Sequence, residues 1–252
     1  MNLFSRKMGE GKPLVILHGL FGMSDNWMTL AKQFASKGFA VFMPDARNHG
    51  QSPWSEEFNY IVMAQDVLEL LDIEGLQKAT LIGHSMGGKT SMFFACKNSS
   101  RVEKLIVADM SPRKYPVGNL EVIAAMRAVD LSNITSRKEA EVSLKNSLKD
   151  EVTVQFLLKS LYWKDEKLAW RFNLDAIEKN IERMSDPLPS DYNFSSPTLF
   201  LRGDRSSYIS NEDAPLIKQH FPNSMIEIIP NAGHWIHAEN PQGFMNALLN
   251  FL

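Results

Sequence analysis

The first half of the chain alternates between short apolar runs and segments whose apolar residues recur every three or four positions. Pro13 to Leu17 is an apolar run closed by His18-Gly19, which predicts a strand buried on both faces. Trp27 to Ser36 places Trp27, Leu30, Ala31 and Phe34 on one helical face, and Gly38 follows as a stop signal. Ala40–Met43 reads as the next strand, Tyr60–Leu71 as a helix, Ala79–Gly83 as a strand, Met86–Lys97 as a helix and Lys104–Ala108 as a strand. Strands alternating with helices in this order predict a parallel sheet covered on both faces.

The alternation stops after residue 108. Between 110 and 191 no core strand is evident, and Leu120–Val129, Arg137–Leu148, Val152–Leu161 and Lys167–Arg183 read as helices. Strand–helix alternation resumes at Thr198–Leu201 and continues through Asp213–His220 and Met225–Ile229 to a final helix, Gly243–Leu252. This pattern predicts one α/β core made of residues 1–109 and 192–252, with 110–191 inserted as a helical cap.

Composition excludes several classes. The chain has 252 residues, 44% hydrophobic and 22% charged, enough for one large core. A net charge of -2 gives no reason to expect nucleic acid or an anionic membrane as partner. One cysteine, Cys96, leaves no internal disulfide and no cysteine metal cluster, and it reads as a small buried residue. No apolar run reaches the length of a signal peptide or a membrane span, so a cytoplasmic protein is expected, monomeric or homodimeric.

The chemistry concentrates at Gly83-His84-Ser85-Met86-Gly87, a G-x-S-x-G between a strand and a helix. In such an elbow the serine sits on a sharp turn with its hydroxyl over the sheet edge. The same stretch, continued through Gly88-Lys89-Thr90, also fits the phosphate loop G-x4-G-K-T. That reading leaves His18-Gly19 and Gly233-His234 without a role, and a serine without chemistry is the bland alternative.

A serine nucleophile needs a base. His234 follows the last strand, at the same sheet edge as Ser85, and His237 is the fallback. His84 leaves the elbow in another direction, and His220 on a surface helix reads as solvated. For the acid, Asp109 after the next strand is preferred to Asp204. Asp204 stands two residues before the fourth position of a G-x-x-D pattern, which is held here by Ser206. Ser206 is placed to hydrogen-bond Asp109. The oxyanion donors are expected to be the N–H groups of Met86 and of Leu20, with Phe21 as runner-up to Leu20. Phe21, Tyr115, Tyr208 and Trp235 are candidate pocket walls. Trp163, Trp170 and Phe172 read as core of the cap, and the spacing of His234 and His237 is too bare for a zinc site.

With these motifs in place the chain resembles the α/β-hydrolase superfamily over nearly its full length, and within it the YbfF-type esterases. The resemblance rests on His18 to Gly22 with Asp25-Asn26-Trp27, on Asp45 to Ser52 containing Arg47-Asn48-His49-Gly50, and on Gly83 to Lys89. It implies an α/β-hydrolase fold, an acid after the strand that follows the elbow, and a site that includes Ser206. It implies abbreviated outer antiparallel strands and a carboxylesterase without cofactor or metal. The substrate class implied is short- or medium-chain acyl esters, with thioester or lactone hydrolysis as variants of the same machinery. A catalytically silent binding protein and a phosphate-loop nucleotide hydrolase are the alternatives from other classes.

Overall fold

The computed structural model describes residues 1–252. Its first half runs β1 (Ser5–Met8), β2 (Lys12–Leu17), α1 (Met28–Ala35), β3 (Phe39–Pro44), α2 (Tyr60–Ile73), β4 (Ala79–His84), α3 (Met86–Lys97) and β5 (Val102–Ala108). Then come α4 (Leu120–Ala128), α5 (Arg137–Ser147), α6 (Glu151–Leu158), β6 (Leu161–Lys164), β7 (Lys167–Trp170) and α7 (Leu174–Lys179). The chain ends with β8 (Thr198–Gly203), α8 (Ala214–His220), β9 (Ser224–Ile229), α9 (Ile236–Glu239) and α10 (Pro241–Phe251).

Seven strands form one sheet in the order β1-β3-β2-β4-β5-β8-β9. Only β1 is antiparallel, pairing Ser5 with Pro44 through Met8 with Val41. This edge strand, Ser-Arg-Lys-Met, is too polar to stand out in the hydrophobic pattern, which misses it. It is the single short antiparallel strand left at that edge.

The parallel strands are apolar throughout because their alternate residues feed two cores. Leu14, Ile16, Val41, Met43, Ile82 and Ile106 pack on one face against Trp27, Leu30 and Phe34 of the α1 region and Phe244 and Leu248 of α10. Val15, Leu17, Phe42, Leu81, Leu105 and Val107 point to the other face, against α2 and α3. The second core does not stop at those helices. Ile123, Leu144, Val154, Leu157, Leu161, Phe172 and Ile177, all between β5 and β8, belong to the same cluster.

The segment between β5 and β8 differs from its all-helical expectation at one place. Lys167–Arg183 is not one helix. Lys167–Trp170 pairs antiparallel with Leu161–Lys164, from Leu161↔Trp170 to Lys164↔Lys167. The two-residue turn Asp165-Glu166 has φ of 47° and 63°, the left-handed pair that joins tight hairpins. Asn-Gly or Asp-Gly normally marks such a turn, and Asp-Glu does not. One side chain also differs from expectation: Trp163 is exposed rather than core, whereas Trp170 and Phe172 are buried as expected.

Topology sets out the site. β4, β5, β8 and β9 are neighbours, and Ser85, Asp109, Ser206 and His234 lie just beyond their respective carboxyl ends. Open α/β sheets place their ligands at this edge.

Candidate active site

Ser85 stands between β4 and α3 at φ 52° and ψ −116°, a left-handed conformation that costs a non-glycine residue about 1–3 kcal/mol. The turn is held by the Ser85 N–H donating to the Ala108 carbonyl at 3.0 Å. Its tightness depends on the flanking glycines. A Cβ on Gly83 would lie 2.3 Å from the Gly87 carbonyl oxygen, and one on Gly87 would lie 2.2 Å from that of Leu17. Any side chain there forces α3 away from the sheet, and the serine moves with it.

Three side chains from three strand ends meet above this turn. His234 Nε2 is 3.0 Å from Ser85 Oγ, and His234 Nδ1 is 2.7 Å from Asp109 Oδ2. Asp109 is fully buried, and its carboxylate also accepts from Ser206 Oγ at 2.5 Å and Gly203 N–H at 3.3 Å. The carboxylate fixes the tautomer: Nδ1 donates to it, which leaves the Nε2 lone pair for the serine hydroxyl. The Tyr208 ring stacks on the imidazole, centroids 3.8 Å apart and planes 18° apart, and prevents it from swinging. Asp204 is elsewhere. Its carboxylate accepts from Asn231 N–H at 2.8 Å and Ala232 N–H at 3.0 Å, bonds that keep its carboxyl below the usual range.

The loop after β2 runs beside the elbow. His18 braces it, donating from Nδ1 to the Gly19 carbonyl at 2.8 Å and accepting at Nε2 from Ala46 N–H at 2.9 Å. Phe21 adopts φ 61°, and its N–H donates to His49 Nε2 at 3.1 Å, so it is not free for a substrate oxygen. Leu20 lines the cavity with Ser85 and Met86, and its N–H donates to no protein acceptor. Met86 is the first residue of α3, where a backbone N–H has no intrahelical acceptor. Two cavities meet at Ser85. One of about 410 Å³ has Tyr60, Met110, Tyr115 and Ile181 in its walls. The other, about 230 Å³, has Phe21, Phe156, His234 and Trp235. Tyr208 borders both.

This geometry agrees with what the chain is similar to. The profile described as alpha/beta hydrolase fold matches residues 12–241. The chain belongs to the alpha/beta hydrolase fold family. It is 39% identical to "sn-1-specific diacylglycerol lipase ABHD11" of Mus musculus over 95% of this chain and 80% of the relative. It is 36% identical to "Esterase YbfF" of Escherichia coli (strain K12) over 96% of this chain and 94% of the relative. Among solved structures, a "Marine microorganism esterase" superposes with a TM-score of 0.97 at 41% identity, covering all of both chains. Ester hydrolysis is the activity that these names share.

Within this hydrolase the phosphate-loop motif has other work. Lys89 is fully buried, donating to the Arg113 carbonyl at 2.7 Å with Nζ 5.1 Å from the Tyr115 ring centre. With its ammonium sealed from solvent and bonded to that carbonyl, it does not cradle phosphate, and burial pushes its pKa down to about 7. No three acidic, histidine or cysteine side chains are grouped to hold a metal ion. No helix is long and apolar enough to cross a membrane.

The remaining histidines of the hydrolase are structural by contact. His84 Nε2 donates to the His234 carbonyl at 2.8 Å, and burial holds the ring's pKa well below its usual value. His237 stacks on Trp27 at 4.4 Å, and burial lowers it to about 3. His220 is buried rather than solvated, donating from Nδ1 to the Tyr192 carbonyl at 2.7 Å. Cys96 is half-buried, and desolvation pushes its thiol up to about 12.

Sequence reasoning overlooked two residues beside the site. His49 receives the Phe21 N–H and donates from Nδ1 to the Arg47 carbonyl at 2.9 Å, which ties the loop after β2 to the one after β3. Asn48, at φ 66°, reaches the insertion, where its carbonyl accepts from Asn173 N–H at 2.9 Å. Both lie in the Arg-Asn-His-Gly stretch. Their presence there was visible, but their partners, far away in the chain, were not.

Proposed function

We propose that this protein is a serine carboxylesterase that cleaves short- to medium-chain acyl esters through an acyl-enzyme. The observation that carries the proposal is the continuous contact from Asp109 through His234 to Ser85 at the junction of two cavities.

Ser85 Oγ attacks the ester carbonyl while His234 Nε2 takes its proton. The carbonyl oxygen becomes an oxyanion, stabilised by the Leu20 and Met86 N–H groups. Each such donor contributes about 3–4 kcal/mol to the transition state. His234 returns the proton to the leaving alcohol oxygen and then activates water to release the acid. Asp109 keeps the ring in the tautomer this sequence needs and stabilises its cation, and Ser206 orients Asp109. Residues 110–191 act as a cap whose walls limit the acyl groups that fit.

The test is hydrolysis of p-nitrophenyl esters from acetate to laurate by the wild type and Ser85→Ala, without added metal. Turnover that peaks at short or medium chains and vanishes in the variant supports the reading. Turnover that survives Ser85→Ala overturns it.

A further inference from the structure

The proton path divides the two cavities between the two halves of an ester. In the proposed reaction His234 hands its proton to the leaving oxygen, so the alcohol must lie on the His234 side of Ser85. The 230 Å³ cavity contains His234 and the 410 Å³ cavity does not. The acyl group therefore takes the larger cavity and the alcohol the smaller one.

The smaller cavity ends at a wall of two aromatic rings. Phe156 of α6 and Trp235 beside His234 meet with centroids 4.3 Å apart and planes 50° apart. Behind them lies a surface groove of about 530 Å³, between the α1 region, α6 and α9. Phe156 and Trp235 line both the cavity and the groove. Two rings are thus the partition between the chamber that receives the alcohol and a larger space open to solvent. Neither ring is fully buried, whereas Leu157 and Leu158 beside Phe156 are. Trp235 is held through its backbone, whose N–H donates to Glu239 Oε1 at 3.2 Å. Both are half-buried side chains, and a rotamer change at either needs no movement of the backbone.

The groove presents more apolar than polar surface, which suits an alkyl chain. Its floor and walls include Leu30, Val152 and Pro241, and its polar rim combines the uncharged Asn26, Thr29 and Gln33 with the cation of Lys159. The carboxylate at its edge, Glu151, is paired with Lys145 at 2.8 Å.

We propose that Phe156 and Trp235 form a side-chain gate, and that the groove behind it is a subsite for the alcohol half of esters with long alkyl leaving groups. The inference rests on Ser85 and His234 acting as proposed above. It extends that reading because the acyl-length preference is set in one cavity and the alcohol-length preference in another. A short alcohol stays within the inner chamber. A long one turns the rings aside and lays its tail along the groove, where each methylene buried favours binding about four-fold.

The experiment compares kcat/KM for methyl and octyl butyrate, below the octyl ester's aggregation limit, in wild type, Phe156→Ala, Val152→Trp and Ser85→Ala. Thermal unfolding of each variant confirms that it is folded; Val152 is exposed, so its indole fills the groove and not the core. Opening the gate with Phe156→Ala raises the octyl-to-methyl ratio by about five-fold or more, and blocking the groove with Val152→Trp lowers it by about five-fold or more. A ratio unchanged in both variants, with Ser85-dependent turnover of methyl butyrate intact, overturns the gate and leaves the serine mechanism standing. Methyl butyrate turnover that persists in Ser85→Ala overturns the mechanism and the gate with it.

Discussion

Ser206 donates its hydroxyl to the same oxygen of Asp109, Oδ2, that faces His234. The two residues are 97 positions apart and stand at the ends of adjacent strands, β8 and β5. A carboxylate held by both partners cannot rotate away from the imidazole. Ser206→Ala is expected to lower kcat about ten-fold with KM little changed, since a hydrogen bond to a charged group contributes roughly 1.5–3 kcal/mol. Ser206→Thr, which keeps the hydroxyl, should restore most of the rate. Steady-state kinetics of the two variants checks this, and an unchanged kcat in Ser206→Ala counts against the role.

Asp109 and Asp204 are separable by substitution. Asp109→Asn removes the charge that stabilises the His234 cation and favours the wrong tautomer, so kcat should fall about 10³- to 10⁴-fold. Asp204→Asn touches only the turn at Asn231 and Ala232 and should leave kcat within about two-fold. A large loss in Asp204→Asn with Asp109→Asn little affected would point to Asp204 as the acid.

Acid should act on the loop after β2 through His49. Burial, with His18 beside it, lowers His49 from 6.5 to about 3. Its neutral Nε2 accepts the Phe21 N–H, and a proton there would end that bond. The unfolded state binds the proton first, so this contribution is complete above pH 6.5 and is lost as pH falls toward 3. The slope is about 1.4 kcal/mol per pH unit. Urea unfolding of wild type and His49→Gln at pH 4, 5 and 7 should show the variant flatter by roughly 1 kcal/mol per unit. Parallel curves would mean that His49 is not the responsible group.

Arg47 and Asp66 form a buried two-pronged ion pair, with Nε–Oδ2 at 2.6 Å and Nη2–Oδ1 at 2.8 Å. Arg47 also donates to the Glu57 carbonyl at 3.0 Å. Arg47→Ala leaves Asp66 charged and alone apart from the Met1 amine, and should cost about 3–5 kcal/mol. Denaturant titration measures the loss. A cost below about 1 kcal/mol would show that the pair contributes no more than a surface bridge.

The fold was legible where strands are buried on both faces. Pro13–Leu17 and Ala79–Gly83 carry no charge, and their boundaries fall within about a residue of β2 and β4. Ser85 and His234 were legible because a glycine-flanked serine and a histidine after the last strand are local patterns. What stayed hidden is non-local or unmarked. β1 is a polar edge strand, the β6–β7 hairpin turns on Asp165-Glu166, and the Phe21–His49 bond pairs a backbone N–H with a ring. The division of the site into two cavities arises from helices distant in sequence, which no spacing encodes.

The apolar cluster that passes without a break from the sheet into the inserted segment joins two properties that many enzymes keep apart. Ile181 and Met110 wall the larger cavity, Leu157 walls the smaller, and all three belong to that cluster. Trimming any of them to admit a bulkier substrate also removes packing that anchors the segment, at about 2–5 kcal/mol for a leucine, isoleucine or methionine cut to alanine. Variants of broader scope should therefore arise mainly in backgrounds first made more robust, or through Phe156 and Trp235, which can be altered with less loss of core.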